Sequence, residues 1–405
     1  MSDSVTIQET DAPPFDALDA ALATSGPAGM LALLARRLDE AGEYRALLDA
    51  LLLRARHDLG LPLIQVGSLN DVGEPLRSRY EERYVAAIRE VGGKFLARGD
   101  VPNAWPYFRA IGEPEPVARA LDEYAPDEAD DRLGPMIEVA FNQGANPRRG
   151  YALILKHYGT CSAVTAFEHL PREDSVRAAC ADALVRQVHE HLVANLRGEI
   201  AHRGQPLPRE GTPIAGQLDG RDWLFAEEAY HVDVSHLGAT VRVAPLLTDP
   251  AALALAVGLT DYGRRLSGRH VFEGEPPFEN TYVDHGVYLR ALIDPAAADA
   301  AVAHFRAKLT PEPAADGEPE DGVDPTPAQV LVGLLVRLNR LDEAIAVAAG
   351  HLADIPESAL FCPSAAQLCH RAGRPDRLAQ IARDQGDLVH YAAAALQTGG
   401  TRPRS

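Results

Sequence analysis

The chain has 405 residues, 46% of them hydrophobic and 6% aromatic, with four cysteines and a formal charge of −19. That is enough chain to bury a substantial core, as two or three domains or as one elongated array. The acid excess argues against nucleic acid or an anionic membrane as partner, because phosphate recognition needs concentrated Lys and Arg, and it favours solubility, or a basic partner.

The leader, residues 1–14, is polar and ends in Pro13-Pro14, which predicts disorder. It lacks the basic stretch and apolar core of a signal peptide, and no stretch approaches the roughly 18 uncharged apolar residues of a membrane span. Cys161, Cys180, Cys362 and Cys369 are too scattered for a disulfide framework, so reduced thiols in a cytoplasmic protein are expected.

Residues 15–130 predict helical hairpins. Met30 to Asp39 and Tyr44 to His57 carry apolar residues at helical spacing on either side of Gly42. The next hairpin, Tyr84 to Pro116, sets Gly92, Phe95, Gly99, Ala104, Phe108 and Pro116 at spacings of 3, 4, 5, 4 and 8. Small Gly92 and Ala104 let two helices approach, Phe95 and Phe108 fill the space beside them, Gly99 permits the reversal and Pro116 blocks further helix. The layout returns over Leu331 to Pro356, with Asn339 at the turn, and Gly373 takes the turn role 34 residues later.

These positions resemble the small-large-turn-small-large-stop pattern of tetratricopeptide repeats, whose period is about 34 residues. The resemblance implies an irregular all-α solenoid of stacked helix pairs, with a concave face that holds a protein or peptide. Gly42 and Gly144 are weaker instances, and the intervals of 57 and 45 residues between Gly42, Gly99 and Gly144 make the array irregular.

Residues 131–309 depart from the pattern. Helices are expected over Ser175 to His202, Trp223 to Leu246, Ala251 to Ser267, Asp284 to Leu292 and Pro295 to Leu309. Two loops rich in Gly and Pro, Arg203 to Asp222 and Glu273 to Val283, interrupt them, and long loops in a helical array are often functional. Residues 310–328 are acidic and proline-rich, without basic or aromatic side chains, which predicts a linker. C-terminal hairpins over 329–397 and a frayed tail over 398–405 complete the chain.

Reactive side chains crowd into the irregular centre. Glu227, Glu228, His231, Asp233 and His236 fall in one expected helix, and Asp284-His285 open another. Imidazole and carboxylate together are ligands for a divalent transition metal such as zinc, iron or manganese. Glu228 and His231 share a face, as do Asp233 and His236. The two histidines, five residues apart, project roughly 140° from one another. One helix therefore cannot close both pairs on one metal, and Asp284, His285 or His157 would have to complete a site. The plainer reading is a set of hydrogen-bonded interhelix histidines and a solvated acidic face.

Cys161 lies four residues after His157, the spacing of a thiol and its activating base on one helix face. Gly159-Thr160 could instead break that helix, leaving Cys161 a small buried hydrophobe. Phosphate-loop, Gly-x-Ser-x-Gly, His-Glu-x-x-His and paired Cys-x-x-Cys motifs are absent. Two function classes remain. One is a helical-repeat binding or scaffolding module; the other is an enzyme, such as a metal-dependent hydrolase or lyase, with its site in the central helices facing the N-terminal repeats.

Overall fold

The computed structural model describes residues 14–64, 72–127, 129–309 and 324–399. The expected leader and tail, and most of the expected linker, lie outside these. Among the described residues the chain is all-α, with no strand and a single isolated bridge between Glu273 and Asn280. It divides into two compact units, residues 1–157 and 158–405.

The first unit is a run of helices that each pack on the next. α1 (Pro14–Ala41), α2 (Tyr44–Asp58), α3 (Leu76–Ala97), α4 (Val101–Ala110) and α5 (Glu115–Glu123) follow in order. α6 (Leu133–Ile137), one turn of π-helix over Glu138–Asn142 and the start of α7 (Pro147–Phe167) complete it. Its core joins Ala35 and Leu38 of α1, Leu47, Ala50 and Leu51 of α2, and Ala87 and Val91 of α3. Beside that core, the Phe95 ring meets Tyr44 edge-on at 5.0 Å and Tyr107 at 5.5 Å.

The hairpin of α3 and α4 shows why its glycines are where they are. Gly99 turns the chain at φ 72°, a conformation that side chains other than glycine adopt only under strain. A Cβ on Gly92 would stand 2.8 Å from the Phe108 ring, so glycine sets the distance between the helices. Asp100 caps α4 by accepting from the Asn103 N–H at 3.3 Å. Pro116 does not have its expected role. α4 ends at Ala110 and the chain turns at Gly112, φ 69°, while Pro116 sits in the first turn of α5, where its missing N–H costs nothing.

Among the described residues one helix, Phe15–Ala41, is long and apolar enough by composition to cross a membrane, with a mean hydropathy of 1.4. Its uncharged run, residues 20–35 between Asp19 and Arg36, is 16 residues long, short of the roughly 18 expected of a span, and includes Thr24, Ser25, Gly26 and Pro27. Gly26, at φ 71° and followed by Pro27, breaks this helix in two.

The second unit carries on from the break in α7. α8 (Asp174–His202), α9 (Ile214–Leu218), α10 (Val234–Val243), α11 (Pro250–Gly263), α12 (Thr281–Ile293) and α13 (Ala298–Ala307) form its centre. α14 (Thr326–Arg337), α15 (Leu341–His351), α16 (Ala365–Arg371), α17 (Pro375–Asp384) and α18 (Leu388–Gly399) then pack each on its predecessor. Asn339 at φ 58° and Gly373 at φ 64° make the reversals the 34-residue interval pointed to. α8 buries Cys180, Leu184, Val188, Leu192, Leu196 and Ile200, one side chain per four residues, against α10 and α11. Arg337 of α14 donates to the carbonyls of Pro245 and Leu247, both at 2.5 Å, and so fixes the C-terminal hairpins to the centre.

Residues 223–246 do not form one helix. A 3-10 turn over Asp222–Glu228 ends with Glu227 and Glu228 at φ 56° and 62°, and α10 starts only at Val234. Asp233 is the cause. Its carboxylate accepts from the Ser235 N–H at 2.9 Å and the His236 N–H at 3.2 Å, which makes it the N-cap of a new helix.

A candidate binding groove between two helices

A broad concavity lies in the second unit, between α8, α11 and the Gly/Pro-rich loop that carries α9. Its volume is about 790 Å³. Each long helix presents a stripe at i, i+3, i+4 and i+7. From α8 come Glu190, Val193, Ala194 and Arg197; from α11 come Ala254, Val257, Gly258 and Asp261. The groove face of each helix is thus apolar only at its middle, Val193 and Ala194 on α8 and Ala254, Val257 and Gly258 on α11, with Glu190, Arg197 and Asp261 at the ends. α11 starts where it does because Asp249 accepts from the N–H groups of Ala251 and Ala252, with Pro250 in the first turn.

The loop between them is anchored rather than loose. Arg197 donates to the Pro208 carbonyl at 2.8 Å, Arg221 donates to the Gln217 carbonyl at 3.3 Å, and Gln217 donates to the Thr212 carbonyl at 3.0 Å. Buried Ile214 of α9 lies against α11 at Gly258, where a Cβ would approach its Cδ1 to 3.3 Å. Gly258 therefore controls the depth of the groove floor. Around the apolar floor stand His189, Glu190, Arg197, Glu210 and Asp261. Burial holds His189 below the usual histidine range and so favours a neutral ring. Asp261 is paired with Arg290. Among the described residues Glu190 and Glu210 have no ion-pair partner, and Arg197 shares the rim with them.

The residues expected to act chemically are placed elsewhere, each with its own partners. Cys161 is exposed on α7, Cys180 and Cys369 are buried, and Cys362 is half-buried. The helical register expected to put His157 and Cys161 on one face is broken between them at Gly159, φ 80° and ψ −179°. His157 ends the first compact unit, and its Nε2 is buried without a hydrogen-bond partner.

Glu228 is exposed and ion-paired with Arg269 at 3.4 Å. His231 packs on Tyr262, whose hydroxyl accepts from the His231 backbone N–H at 2.7 Å; burial lowers the pKa of that imidazole and pushes Tyr262 up to about 12. Asp233 and His236 line a smaller cavity of about 210 Å³ with His191 and Thr160. Hydrogen bonding from Ser235 and from the backbone of His236 holds the Asp233 carboxyl below its ordinary value.

Asp284 is 2% exposed, and both its oxygens are taken. Oδ1 meets His304 Nε2 at 2.7 Å, while Oδ2 accepts from Lys308 at 3.0 Å and from the Asn280 N–H at 2.8 Å. Burial pulls Lys308 down, but hydrogen bonds to Glu279 and Asp284 outweigh it and the ammonium ends above its usual range. His285, buried beside it, shares a 2.7 Å hydrogen bond with the Thr281 carbonyl and stacks on Phe278 at 4.0 Å between ring centres. Burial lowers its pKa to about 4. Among the described residues no three His, Cys, Asp or Glu side chains are gathered as a metal site requires. The crowding in sequence disperses into separate caps, pairs and stacks.

No family model, curated protein or solved structure matches the chain. The groove residues also escaped the sequence reading. Their signal was the small and apolar pairs Val193-Ala194 on α8 and Val257-Gly258 on α11, which a search for reactive side chains passes over.

Proposed function

We propose that the protein is a binding module, and that the groove between α8 and α11 takes an amphipathic helical segment of a partner protein with basic residues beside its apolar face. The observation that carries this is the pair of facing stripes. Two helices set Val193 and Ala194 against Ala254, Val257 and Gly258 in a concavity of about 790 Å³, with Glu190, Arg197 and Asp261 at the ends of the stripes and Glu210 on the rim. Helix-in-groove recognition uses that arrangement: anchors at helical spacing give affinity, and rim charges give orientation. The chain's charge of −19 favours the same partner.

We further infer that the regular hairpins are divergent tetratricopeptide-like units serving as a frame. The hydrolase or lyase reading has no comparable support, since Glu228, His231, Asp233, Asp284 and His285 each already serve a local partner. The protein-binding reading is tested by selection from a displayed library of amphipathic helices. Enrichment of sequences with an apolar face flanked by Lys or Arg is expected, and their binding should fall at least about tenfold with Gly258→Leu. Enrichment of acidic or featureless sequences, or equal binding by Gly258→Leu, would overturn it.

A further inference from the structure

Three-residue turns join the other C-terminal helices from α14 to α18, but α15 and α16 are held apart by a longer connector, residues 352–364. It makes a 3-10 turn over Glu357–Ala359 and ends at Ser364, which caps α16. A cavity of about 180 Å³ lies between this connector, α16, α17 and the end of α15. Its floor is Ala348, Leu352, Leu378 and Ala382, each 6% exposed or less. Half-buried Ile355, Leu360 and Ile381 stand beside them.

Close packing leaves few voids larger than a water molecule, and an unfilled one costs stability in proportion to its volume. At the contact of α3 and α4, Phe108 fills the room that Gly92 leaves. Here no Phe, Tyr or Trp lines the cavity, and alanines stand at Ala348, Ala365, Ala366 and Ala382. An apolar cavity of roughly 150 Å³ takes up benzene, so this volume suits one aromatic ring. The polar groups at its mouth include Glu357, Asp387 and His390 but no Lys or Arg. Glu357 Oε1 accepts from the Ser364 hydroxyl at 2.7 Å, and Oε2 has no partner among the described residues. Asp387 accepts from the N–H groups of Val389 and His390 and bonds His390 Nδ1, which holds its carboxyl below the ordinary value. Two carboxylates at the mouth favour a cationic group and repel an anionic one.

We propose that this cavity binds a small molecule made of a single aromatic ring and an ammonium group. The ring rests on the floor between Ala348 and Ala382, and the ammonium donates to Glu357 Oε2 at the mouth. The ring supplies most of the affinity by leaving water, and the carboxylate selects the charge. The site shares no residue with the groove between α8 and α11, so the two stand or fall separately.

Titration of the full chain with benzylamine, toluene and benzoate, followed by backbone amide NMR shifts, tests both halves of the site. Benzylamine should move the resonances of Ala348, Leu352 and Ala382 and bind about fivefold more tightly than toluene, with benzoate weakest. Glu357→Gln, on an exposed side chain, should bring benzylamine to the affinity of toluene and leave toluene unchanged. Ala382→Leu fills the floor and should abolish binding of both, with an unchanged circular dichroism spectrum. Binding of none of the three, shifts centred elsewhere, benzoate bound as well as benzylamine, or an unaltered preference in Glu357→Gln would each overturn the proposal.

Discussion

The hairpin of α3 and α4 and the packed centre of α11, α12 and α13 both join helices at close range, with different materials. The hairpin uses small side chains. Gly92 sets the spacing, Gly99 makes the turn, and Phe108 and Ala104 fill the contact with no buried charge. The centre uses a buried carboxylate. Asp284 of α12 gathers His304 of α13 and Lys308 just after it and accepts from the Asn280 N–H at the start of its own helix, while His285 is held neutral beneath Phe278. Apolar packing degrades gradually as it is trimmed, whereas a buried charge whose partners are removed is stranded outright.

That difference orders the expected effects. Asp284→Ala should lose about 3 kcal/mol or more of stability by urea unfolding, because it leaves His304 and the Asn280 N–H without their acceptor and leaves Lys308 only Glu279. A loss like that of an ordinary surface substitution would erase the distinction between the two regions. The next effect is on pH. Unfolded His285 takes up a proton as pH falls through about 6.5, whereas the folded residue does so only near about 4. The unfolded chain therefore binds more protons in that window. Stability is fully present above pH 6.5 and declines toward pH 4, by about 3 kcal/mol for this residue alone. His189 and His231, also lowered by burial, act in the same direction. His285→Gln should flatten the acid limb of the stability profile, and an unchanged slope would contradict the assignment. Smallest is Gly99→Ala, which places a Cβ at φ 72° and should cost about 1 kcal/mol, read as a modest drop in melting temperature.

How much the sequence disclosed follows the same division. Hairpin turns are local events, so Gly42, Gly99, Asn339 and Gly373 announced left-handed positions that the structure contains. The helices over 174–202 and 250–263 were legible to within a few residues for the same reason, in their apolar periodicity. The stretch 223–246 was not. Its Glu, His and Asp residues suit a helix in composition, but Asp233 prefers the backbone N–H groups of Ser235 and His236 and starts a new helix there. Asp284 and His285 looked like ligands because a sequence shows which groups can coordinate, not which already have partners twenty residues away. Pro116 looked like a stop because proline ends one helix and begins another equally well. The groove needed two distant stripes, on α8 and α11, to be seen facing each other, and no short-range signal contains that.

The account rests most on the groove, and calorimetric titration of a library-selected basic amphipathic peptide tests it most directly, with the wild-type chain set against Glu190→Lys combined with Glu210→Lys. Both glutamates are exposed, so the fold should be unaffected. The account predicts that affinity falls about tenfold or more in the charge-reversed chain and that its salt dependence weakens or inverts. Equal affinity and equal salt dependence in the two chains would show that the peptide does not bind between α8 and α11, and would contradict the assignment of this groove as the binding site.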